Sequence, residues 1–433
     1  MNHVEAQMIA MDQLRVGQYV HLDLKWFEHP FAFSQFKIKT EEQIKVIRSL
    51  GLNAVRINPE LSDLAAMNPA NASATPAVQF NAAPPPGAEP APSPIVVAKQ
   101  AMLARMRLRR QDTERIEKAF INTGKTIRDI EKNLYSRPLE AMQQASLLIG
   151  QMTESILSAP ELAIQVMGDK MGGDELYLHS LNVTMLSIMM ARDIKLPIAV
   201  VGVLGVGALL HDIGRKELPD KILRKTEALT QAERSFYEMH CQFGLEVVQP
   251  MGLAPAALSI IREHHEMFDG SGYPARLKGE SISLLSRIVA IANYYDELCN
   301  PPSTADALTP HEALSLMFAK LRSKFDPKLL QVFIRCLGVY PPGTIVQLSN
   351  GAIGMVVTVN TARPMKPTLM LYDAEVPKDE AILLDMERET EVNIAKAIRP
   401  AQVPQEVLNY LSPRKRVSYY FNASAARPEA GQP

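Results

Sequence analysis

The pattern of hydrophobic and polar positions divides the chain into segments with different periods. Near the N-terminus, short alternating runs predict β-strands, and these runs are Leu14–Leu22, Phe36–Ile38 and Ala54–Ile57. A helix is predicted from Glu41 to Leu50, with Thr40 as its N-cap and Gln43 completing a capping box. The pattern therefore predicts a small α+β domain over residues 1–62.

The next hundred or so residues contain no pattern of catalytic character. Ala, Pro, Asn and Ser dominate residues 63–97, which predicts a flexible linker. Residues 98–159 are predicted to form a helical connector with breaks at Gly124 and Pro138. Its basic stretch, Arg105–Arg115, has no interleaved aromatic residues, so a solvated helix face is favoured over a nucleic-acid patch. A signal-relay or dimerisation helix is an equally good interpretation, which leaves a homodimer open.

Residues 160–338 are predicted to be almost wholly helical, and the chain then changes to a β pattern. The longest apolar run, Leu196–Leu210, is short for a membrane span and carries Pro197, so it predicts a buried core helix. Asn350-Gly351 stands between two β-branched runs and predicts a hairpin. We expect a small β subdomain over residues 339–395 and a largely disordered tail over residues 396–433.

Composition bears on the number of domains, the binding partners and the cellular compartment. A chain of 433 residues suits two or three domains, and its net charge of -1 gives no argument for nucleic acid or an anionic membrane surface. The three cysteines show no paired spacing, which suits a reducing compartment. No signal peptide opens the chain, so the predicted localisation is cytoplasmic, with no membrane partner.

The segment Arg262–Pro274 concentrates the chemically informative residues. His264 and His265 stand beside carboxylates, a combination that borderline divalent metals prefer. The glycines and Pro274 that follow cannot extend a helix, so the histidines are expected at a helix end that faces a loop. Such a helix end suits a phosphate held near a metal.

Further candidate ligands lie elsewhere in the predicted helical region. Glu175 and His179 are four residues apart and would share one helix face. The remaining candidates are the pair His211-Asp212 after the apolar run, His240 in a helix begun at Thr230, and Asp296 in a helix from Leu284 to Leu298.

These motifs resemble one known family. His211-Asp212, His264-His265-Glu266 and Asp269-Gly-Ser-Gly-Tyr-Pro274 resemble the HD-GYP family, a branch of the HD superfamily of metal phosphohydrolases, over about residues 160–340. The N-terminal segment resembles an uncharacterised domain that precedes some bacterial HD-GYP domains. The resemblance implies a multidomain, mainly α protein: an all-helical HD-type catalytic domain, a small α+β N-terminal domain and a small β C-terminal subdomain. Its implied activity is hydrolysis of the bacterial second messenger cyclic di-GMP to pGpG or GMP.

The resemblance also implies a role for each residue at a matching position. Two or three divalent metal ions are expected, iron or manganese foremost, with Asp212 as the bridge and Glu175 as the ligand of a third. The implied metal ligands are Glu175, His179, His211, Asp212, His240, His264, His265 and Asp296. The implied catalytic residues are His211, Asp212 and Arg215. The implied substrate-binding residues are Arg215, Asp269, Gly272, Tyr273, Pro274 and Arg287.

Two departures from the family pattern keep alternatives open. Arg215 stands where most members have lysine, and arginine does not readily donate a proton to a leaving oxygen. Asn300–Asp306 occupies the place of a basic segment that grips the dinucleotide, yet it contains no basic residue. The alternatives are a weakly active or inactive scaffold that contacts signalling proteins, and a phosphodiesterase for another cyclic dinucleotide.

Overall fold

The structure is a computed structural model. It describes residues 7–24, 29–31, 34–63, 122–158, 164–166, 175–223, 225, 227–301, 303, 306–360, 363–374, 376, 378, 381–389, 392–411 and 419–421. The chain divides into two compact units, Met1–Arg110 with Asp373–Glu380, and Gln111–Tyr372 with Ala381–Pro433. The predicted linker beyond residue 63 and the basic stretch Arg105–Arg115 lie outside the described residues.

In the N-terminal unit, a four-stranded antiparallel sheet packs against one helix, as predicted. The strands are β1 (Gln7–Ala10), β2 (Tyr19–His21), β3 (Gln35–Lys37) and β4 (Ala54–Asn58), in the order β1-β4-β2-β3. Helix α1 (Glu41–Ser49) begins at the predicted capping box of Thr40 and Gln43. Ile44 and Ile47 of α1 join the buried faces of the strands in one hydrophobic core. The sequence pattern missed β1, in which Ile9 alone is buried.

The second unit is mainly helical, as the resemblance implies. Its helices are α2 (Pro138–Ser158), α3 (Glu175–Asp193), α4 (Ile198–Leu210), α5 (Asp220–Leu223), α6 (Gln231–Glu238), α7 (His240–Val248), α8 (Pro255–Glu263), α9 (Leu284–Cys299), α10 (Pro310–Ala319), α11 (Pro327–Leu337) and α12 (Gln405–Leu411). Residues 122–133 are also helical. The predicted break at Gly124 is therefore wrong, whereas Pro138 does begin a helix, where its missing N–H is harmless.

Helix α4 lies at the centre of the helical unit. It packs against α2, α3 and α8, and its C-terminal half is buried. A Cβ on Gly205 would lie 2.5 Å from Ile149 of α2, and one on Gly207 would lie 2.5 Å from Ile260 of α8. Glycine therefore lets two neighbouring helices come close to α4, as a core helix requires.

One segment of the described residues, Ile198–Glu217, is long and apolar enough to cross a membrane by length and composition. Of its 18-residue window, 67% is buried inside the structure, and core helices meet the same criterion.

A five-stranded antiparallel sheet follows the helices. Its strands are β6 (Ile345–Leu348), β7 (Ile353–Thr358), β8 (Thr368–Leu371), β9 (Leu383–Asp385) and β10 (Ile394–Ile398), in the order β10-β6-β7-β8-β9. The predicted hairpin joins β6 to β7, with Gly351 in the left-handed region at φ +86°. A separate two-stranded sheet pairs β5 (Ile164–Val166) with β11 (Tyr419–Phe421).

The predicted disordered tail from residue 396 is wrong over its described part. Strand β10 continues to Ile398 and pairs with β6. Helix α12 then places Val407 and Leu411, which are spaced by one helical turn, in the same small core as Ile345. Burial of these apolar side chains holds the segment in place.

Candidate metal centre

The pair His211-Asp212 lies where α4 ends. His211 is the C-terminal cap of α4, Asp212 precedes a 3-10 turn over Ile213–Glu217, and both side chains are buried. This turn packs against α7 so closely that a Cβ on Gly214 would lie 2.0 Å from the His240 carbonyl oxygen. The close approach holds the Asp212 carboxylate beside the His240 side chain of α7.

The Asp212 carboxylate belongs to two groups of possible metal ligands. Its Oδ1 lies 3.4 Å from Nε2 of His240 and 3.5 Å from Nε2 of His264. Its Oδ2 lies 3.6 Å from Nε2 of His179 and 3.8 Å from Nε2 of His211. In full, the groups are Asp212 with His240, His264 and His265, and Asp212 with His179 and His211. The two oxygens of one carboxylate thus face two sets of imidazoles, as a bridging ligand must.

Backbone carbonyls fix the tautomers of three of these imidazoles. The Nδ1–H groups donate at 2.7 Å from His211 to Ala208 O, at 2.6 Å from His240 to Tyr237 O, and at 2.9 Å from His264 to Ile261 O. Because a carbonyl only accepts, each Nδ1 carries the proton, and each neutral Nε2 presents its lone pair. Such hydrogen bonds also fix the orientation of metal-binding imidazoles.

Burial keeps these groups in the forms that bind metals. Burial lowers the pKa of His211 to about 3 and that of His240 to about 4, so both imidazoles are neutral at physiological pH. Burial alone would raise the pKa of Asp212. The Arg215 guanidinium, at 2.8 Å from Oδ2, instead holds that pKa well below its ordinary value.

The donor set fits divalent metal ions. Oδ1 of Asp212 is buried and has no hydrogen-bond partner among the described residues. A buried carboxylate oxygen without a donor is unfavourable unless a cation occupies the space in front of it. Neutral imidazoles with a carboxylate suit iron, manganese and zinc.

Asp296 and Glu175 are placed differently from the other predicted ligands. Oδ2 of Asp296 accepts the Nδ1–H of His179 at 2.7 Å, and its Oδ1 accepts from Asn182 at 2.8 Å and Asn300 at 2.9 Å. Asp296 therefore orients His179, and direct ligation by Asp296 stays a prediction. Glu175 begins α3, but its side chain lies outside the described residues, so its role as a third-metal ligand also stays a prediction.

His240 also shows one error in the predicted helix boundaries. The helix capped by Thr230 ends at Glu238, and His240 begins the separate helix α7. The Tyr237 carbonyl accepts the Nδ1–H of the His240 side chain. This break lets the His240 imidazole turn toward Asp212.

The Gly-Tyr-Pro loop lies directly on the histidine pair. The Tyr273 ring stacks on the His265 ring, with centroids 4.5 Å apart and an interplanar angle of 22°. A Cβ on Gly272 would lie 2.4 Å from the His265 carbonyl oxygen, so this position requires glycine. Asp269 accepts the Ser271 N–H at 2.9 Å and shapes the start of the loop.

Glu266 holds the far side of the loop. This buried carboxylate accepts the backbone N–H of Ala275 at 2.6 Å and of Leu277 at 2.9 Å. Burial raises the pKa of Glu266, while the backbone donors act in the opposite direction. Glu266 directly follows the histidine pair in sequence. Its two hydrogen bonds therefore tie the end of the loop to that pair.

Replacing Glu266 by glutamine is expected to lower the free energy of unfolding by about 2 kcal/mol, because one backbone N–H would then face an amide NH₂. Denaturant unfolding in the presence of a chelator measures this loss without a metal contribution. Glu263→Gln is the matched control, since that carboxylate has one backbone donor among the described residues, Ser283, at 3.0 Å. Equal losses in the two variants would contradict the clamp role of Glu266.

Of the predicted ligands, His179, His265 and Asp296 line one cleft of about 1290 Å³. Of the predicted substrate-binding residues, Arg215, Gly272, Tyr273 and Pro274 line it, whereas Asp269 and Arg287 do not. Arg287 instead donates to Asp326 at 2.6 Å, and Asp326 caps α11. The structure therefore gives Arg287 a structural contact away from the cleft.

Some residues of the cleft escaped the sequence reasoning. Tyr237, Asn182, Glu297 and Lys324 also line it. Asn182 lies three residues after His179 on the same helix face, so helical spacing could have identified it. Lys324 ends a short 3-10 turn that carries no periodicity, and only the fold brings it to the cleft.

Three family models match the chain. A model described as HD domain covers residues 148–329, a domain of unknown function (DUF3391) covers residues 7–145, and a KOW domain associated with HD domain covers residues 345–406. The first of these contains every predicted ligand.

Curated relatives agree with these matches. Cyclic di-GMP phosphodiesterase PA4108 of Pseudomonas aeruginosa is 27% identical over 432 residues, covering 97% of this chain and 99% of that protein. The response regulator RpfG of Xanthomonas campestris pv. campestris, a cyclic di-GMP phosphodiesterase, is 35% identical over 150 residues, 34% of this chain and 39% of that protein. A 3'3'-cGAMP-specific phosphodiesterase 2 of Vibrio cholerae is 35% identical over 127 residues, 29% of this chain and 24% of that protein.

Proposed function

Since the chain belongs to the HD-GYP family of metal phosphohydrolases, we propose that it hydrolyses cyclic di-GMP to pGpG or GMP with a pair of divalent metal ions. One observation carries this proposal. The two oxygens of the buried Asp212 carboxylate face two different sets of imidazole Nε2 atoms, at 3.4–3.5 Å and 3.6–3.8 Å. The relatives named for cyclic di-GMP hydrolysis supply the substrate class.

The protein's own residues would hold and orient the reacting groups. His179 and His211 would hold one metal, His240, His264 and His265 the other, and Asp212 would bridge them. When bound, the two metals would activate water and neutralise charge on the phosphate oxygens. The carbonyl-bound Nδ1 atoms keep the rings of His211, His240 and His264 fixed, so this part of the ligand geometry is present before substrate arrives.

Arg215 would bind a phosphate oxygen and hold Asp212 in place. Its Nη1 donates to Asp212 at 2.8 Å, and its guanidinium lies over the Tyr237 ring at 5.8 Å. Guanidinium stays protonated, so Arg215 does not donate a proton to the leaving oxygen. Its contribution to the reaction is electrostatic.

The cleft has room for a dinucleotide, because about 1290 Å³ exceeds the usual range of roughly 300–1,000 Å³ for small-molecule sites. Tyr273, fixed by stacking on His265, would form one wall. We propose 3'3'-cGAMP as the second candidate substrate. Its basis is the likeness to the Vibrio cholerae enzyme together with a segment, Asn300–Asp306, that has no basic residue.

The test is product chromatography after metal-replete protein is incubated with each dinucleotide. We expect cyclic di-GMP to disappear with formation of pGpG or GMP. Equal consumption of both dinucleotides would make the specificity broader than proposed. No consumption of either, with metal confirmed as bound, would overturn the activity and favour a scaffold role.

Removing the metal is expected to lower turnover by about 100-fold or more, because hydroxide formation and charge neutralisation are both lost. The measurement is hydrolysis before and after dialysis against a chelator, followed by addition of Fe(II), Mn(II) or Zn(II) under anaerobic conditions. The ion that restores the most turnover identifies the effective metal. Unchanged turnover in protein shown by metal analysis to be metal-free would contradict the proposal.

A further inference from the structure

The cleft offers several cations to an anionic substrate. Those that line it are Arg215, Lys216, Arg234, Arg276 and Lys324. Two of them already have carboxylate partners: Arg215 pairs with Asp212 at 2.8 Å, and Lys216 pairs with Glu131 at 2.8 Å. The other three have no ion-pair partner within the part of the chain that the structure describes.

These three cations differ in their surroundings. Arg234 precedes Glu238, another residue that lines the cleft, by one turn of α6, so an acid lies close to its charge. Lys324 lies over the Tyr294 ring at 5.6 Å, which fixes it on a wall of the cleft. Arg276 is exposed and follows the Gly-Tyr-Pro loop by two residues.

The backbone of Arg276 adopts an unusual conformation. Its φ of 54° lies in the left-handed region that favours glycine. Glu266 imposes this conformation, since its carboxylate binds the N–H groups on both sides, of Ala275 at 2.6 Å and of Leu277 at 2.9 Å. A strained non-glycine residue persists where the surrounding structure holds it, and such residues concentrate at functional sites.

We infer that Arg276, together with Lys324, binds the phosphodiester group of the substrate that is not cleaved. The inference rests on the proposed function, because a cyclic dinucleotide carries two phosphodiesters and the metal centre engages one. A guanidinium binds phosphate oxygens through paired N–H groups. The segment Asn300–Asp306 has no lysine or arginine. The cations for the second phosphodiester therefore come from elsewhere in the cleft, from Arg276 and Lys324.

The test compares two substrates with different numbers of phosphodiesters. In Arg276→Ala, we expect KM for cyclic di-GMP to rise about tenfold with kcat unchanged, because the lost contact is equal in ground and transition states. Hydrolysis of bis(4-nitrophenyl) phosphate, which has a single phosphodiester, is expected to stay unchanged. Lys278→Ala is the matched control: Lys278 is exposed in the same loop and does not line the cleft, so it should leave both substrates unaffected.

A second substitution separates charge from backbone strain. Arg276→Gly removes the strain, so its midpoint of thermal unfolding should rise, yet its KM for cyclic di-GMP should rise as in Arg276→Ala. Arg276→Lys should recover part of the affinity. An unchanged KM for cyclic di-GMP in Arg276→Ala, or an equal loss with both substrates, would overturn the inference.

Failure of the proposed function gives a different result. If the wild type binds metal but does not consume cyclic di-GMP, calorimetry can measure the Kd of the intact dinucleotide directly. A Kd about tenfold weaker in Arg276→Ala than in the wild type would support the inference without the activity. Equal Kd values, or no binding to the wild type, would overturn it.

Discussion

Replacing Asp212 by asparagine is expected to lower kcat for cyclic di-GMP by roughly a thousandfold. The substitution keeps the shape of the side chain but removes the charge that faces both sets of imidazoles, and metal-based stabilisation of several kcal/mol corresponds to a factor of this size. The bound metal should fall in parallel. The measurements are steady-state kinetics and metal content per chain.

A matched substitution separates this effect from simple destabilisation. Asp326 is likewise a buried carboxylate paired with an arginine, since Oδ2 lies 2.6 Å from Nη1 of Arg287, but it belongs to neither group of possible metal ligands. Asp326→Asn should lower the free energy of unfolding, as breaking a buried pair does, and keep kcat. A similar fall of kcat in both variants, or a kcat within tenfold of the wild type in Asp212→Asn, would contradict the bridging role.

The second large effect is expected from Gly214→Ala. The added Cβ would lie 2.0 Å from the His240 carbonyl oxygen and 2.3 Å from the Gly244 backbone nitrogen. Both are backbone atoms, so the turn after Asp212 must move away from α7. We expect the free energy of unfolding to fall by about 3 kcal/mol. The metal-binding site should also loosen, because Asp212 and His240 would separate.

The control for this prediction lies in α4. A Cβ on Gly202 would meet nothing within 4 Å, so Gly202→Ala should be neutral or stabilise the helix by up to about 1 kcal/mol. Denaturant unfolding and metal titration of both variants provide the comparison. A stability of Gly214→Ala equal to that of the wild type would show that the close contact can relax.

Two pairs of candidate ligands, His211-Asp212 and His264-His265, could be recognised in the sequence because each pair is contiguous. His211-Asp212 follows the apolar, buried helix α4, and α8 ends at Glu263, directly before the histidine pair, as expected. The α+β domain, the β6–β7 hairpin and the capping box at Thr40 rest on local signals, which a single sequence carries well.

What the sequence could not predict depends on contacts between distant residues. The clamp of Glu266 on Ala275 and Leu277 exists only once the loop has closed, and it sets the conformation of Arg276. The resemblance implies that Arg287 binds substrate, but its partner, Asp326, is 39 residues away in sequence. Tertiary packing also orders the segment after residue 395. Its short strand and helix carry too weak a periodicity to be recognised from the sequence alone.

The ligand set has a consequence for the chain as a polymer. His179 and Asp296, which are in contact, are 117 residues apart in sequence, and the remaining residues of the two candidate ligand groups lie between them on separate segments. A metal held by these side chains would cross-link the chain and divide it into closed loops, as disulfides do in secreted proteins. Such closures lower the entropy of the unfolded ensemble, and the binding free energy adds to that of folding. The persistence of the folded chain would then follow the supply of metal.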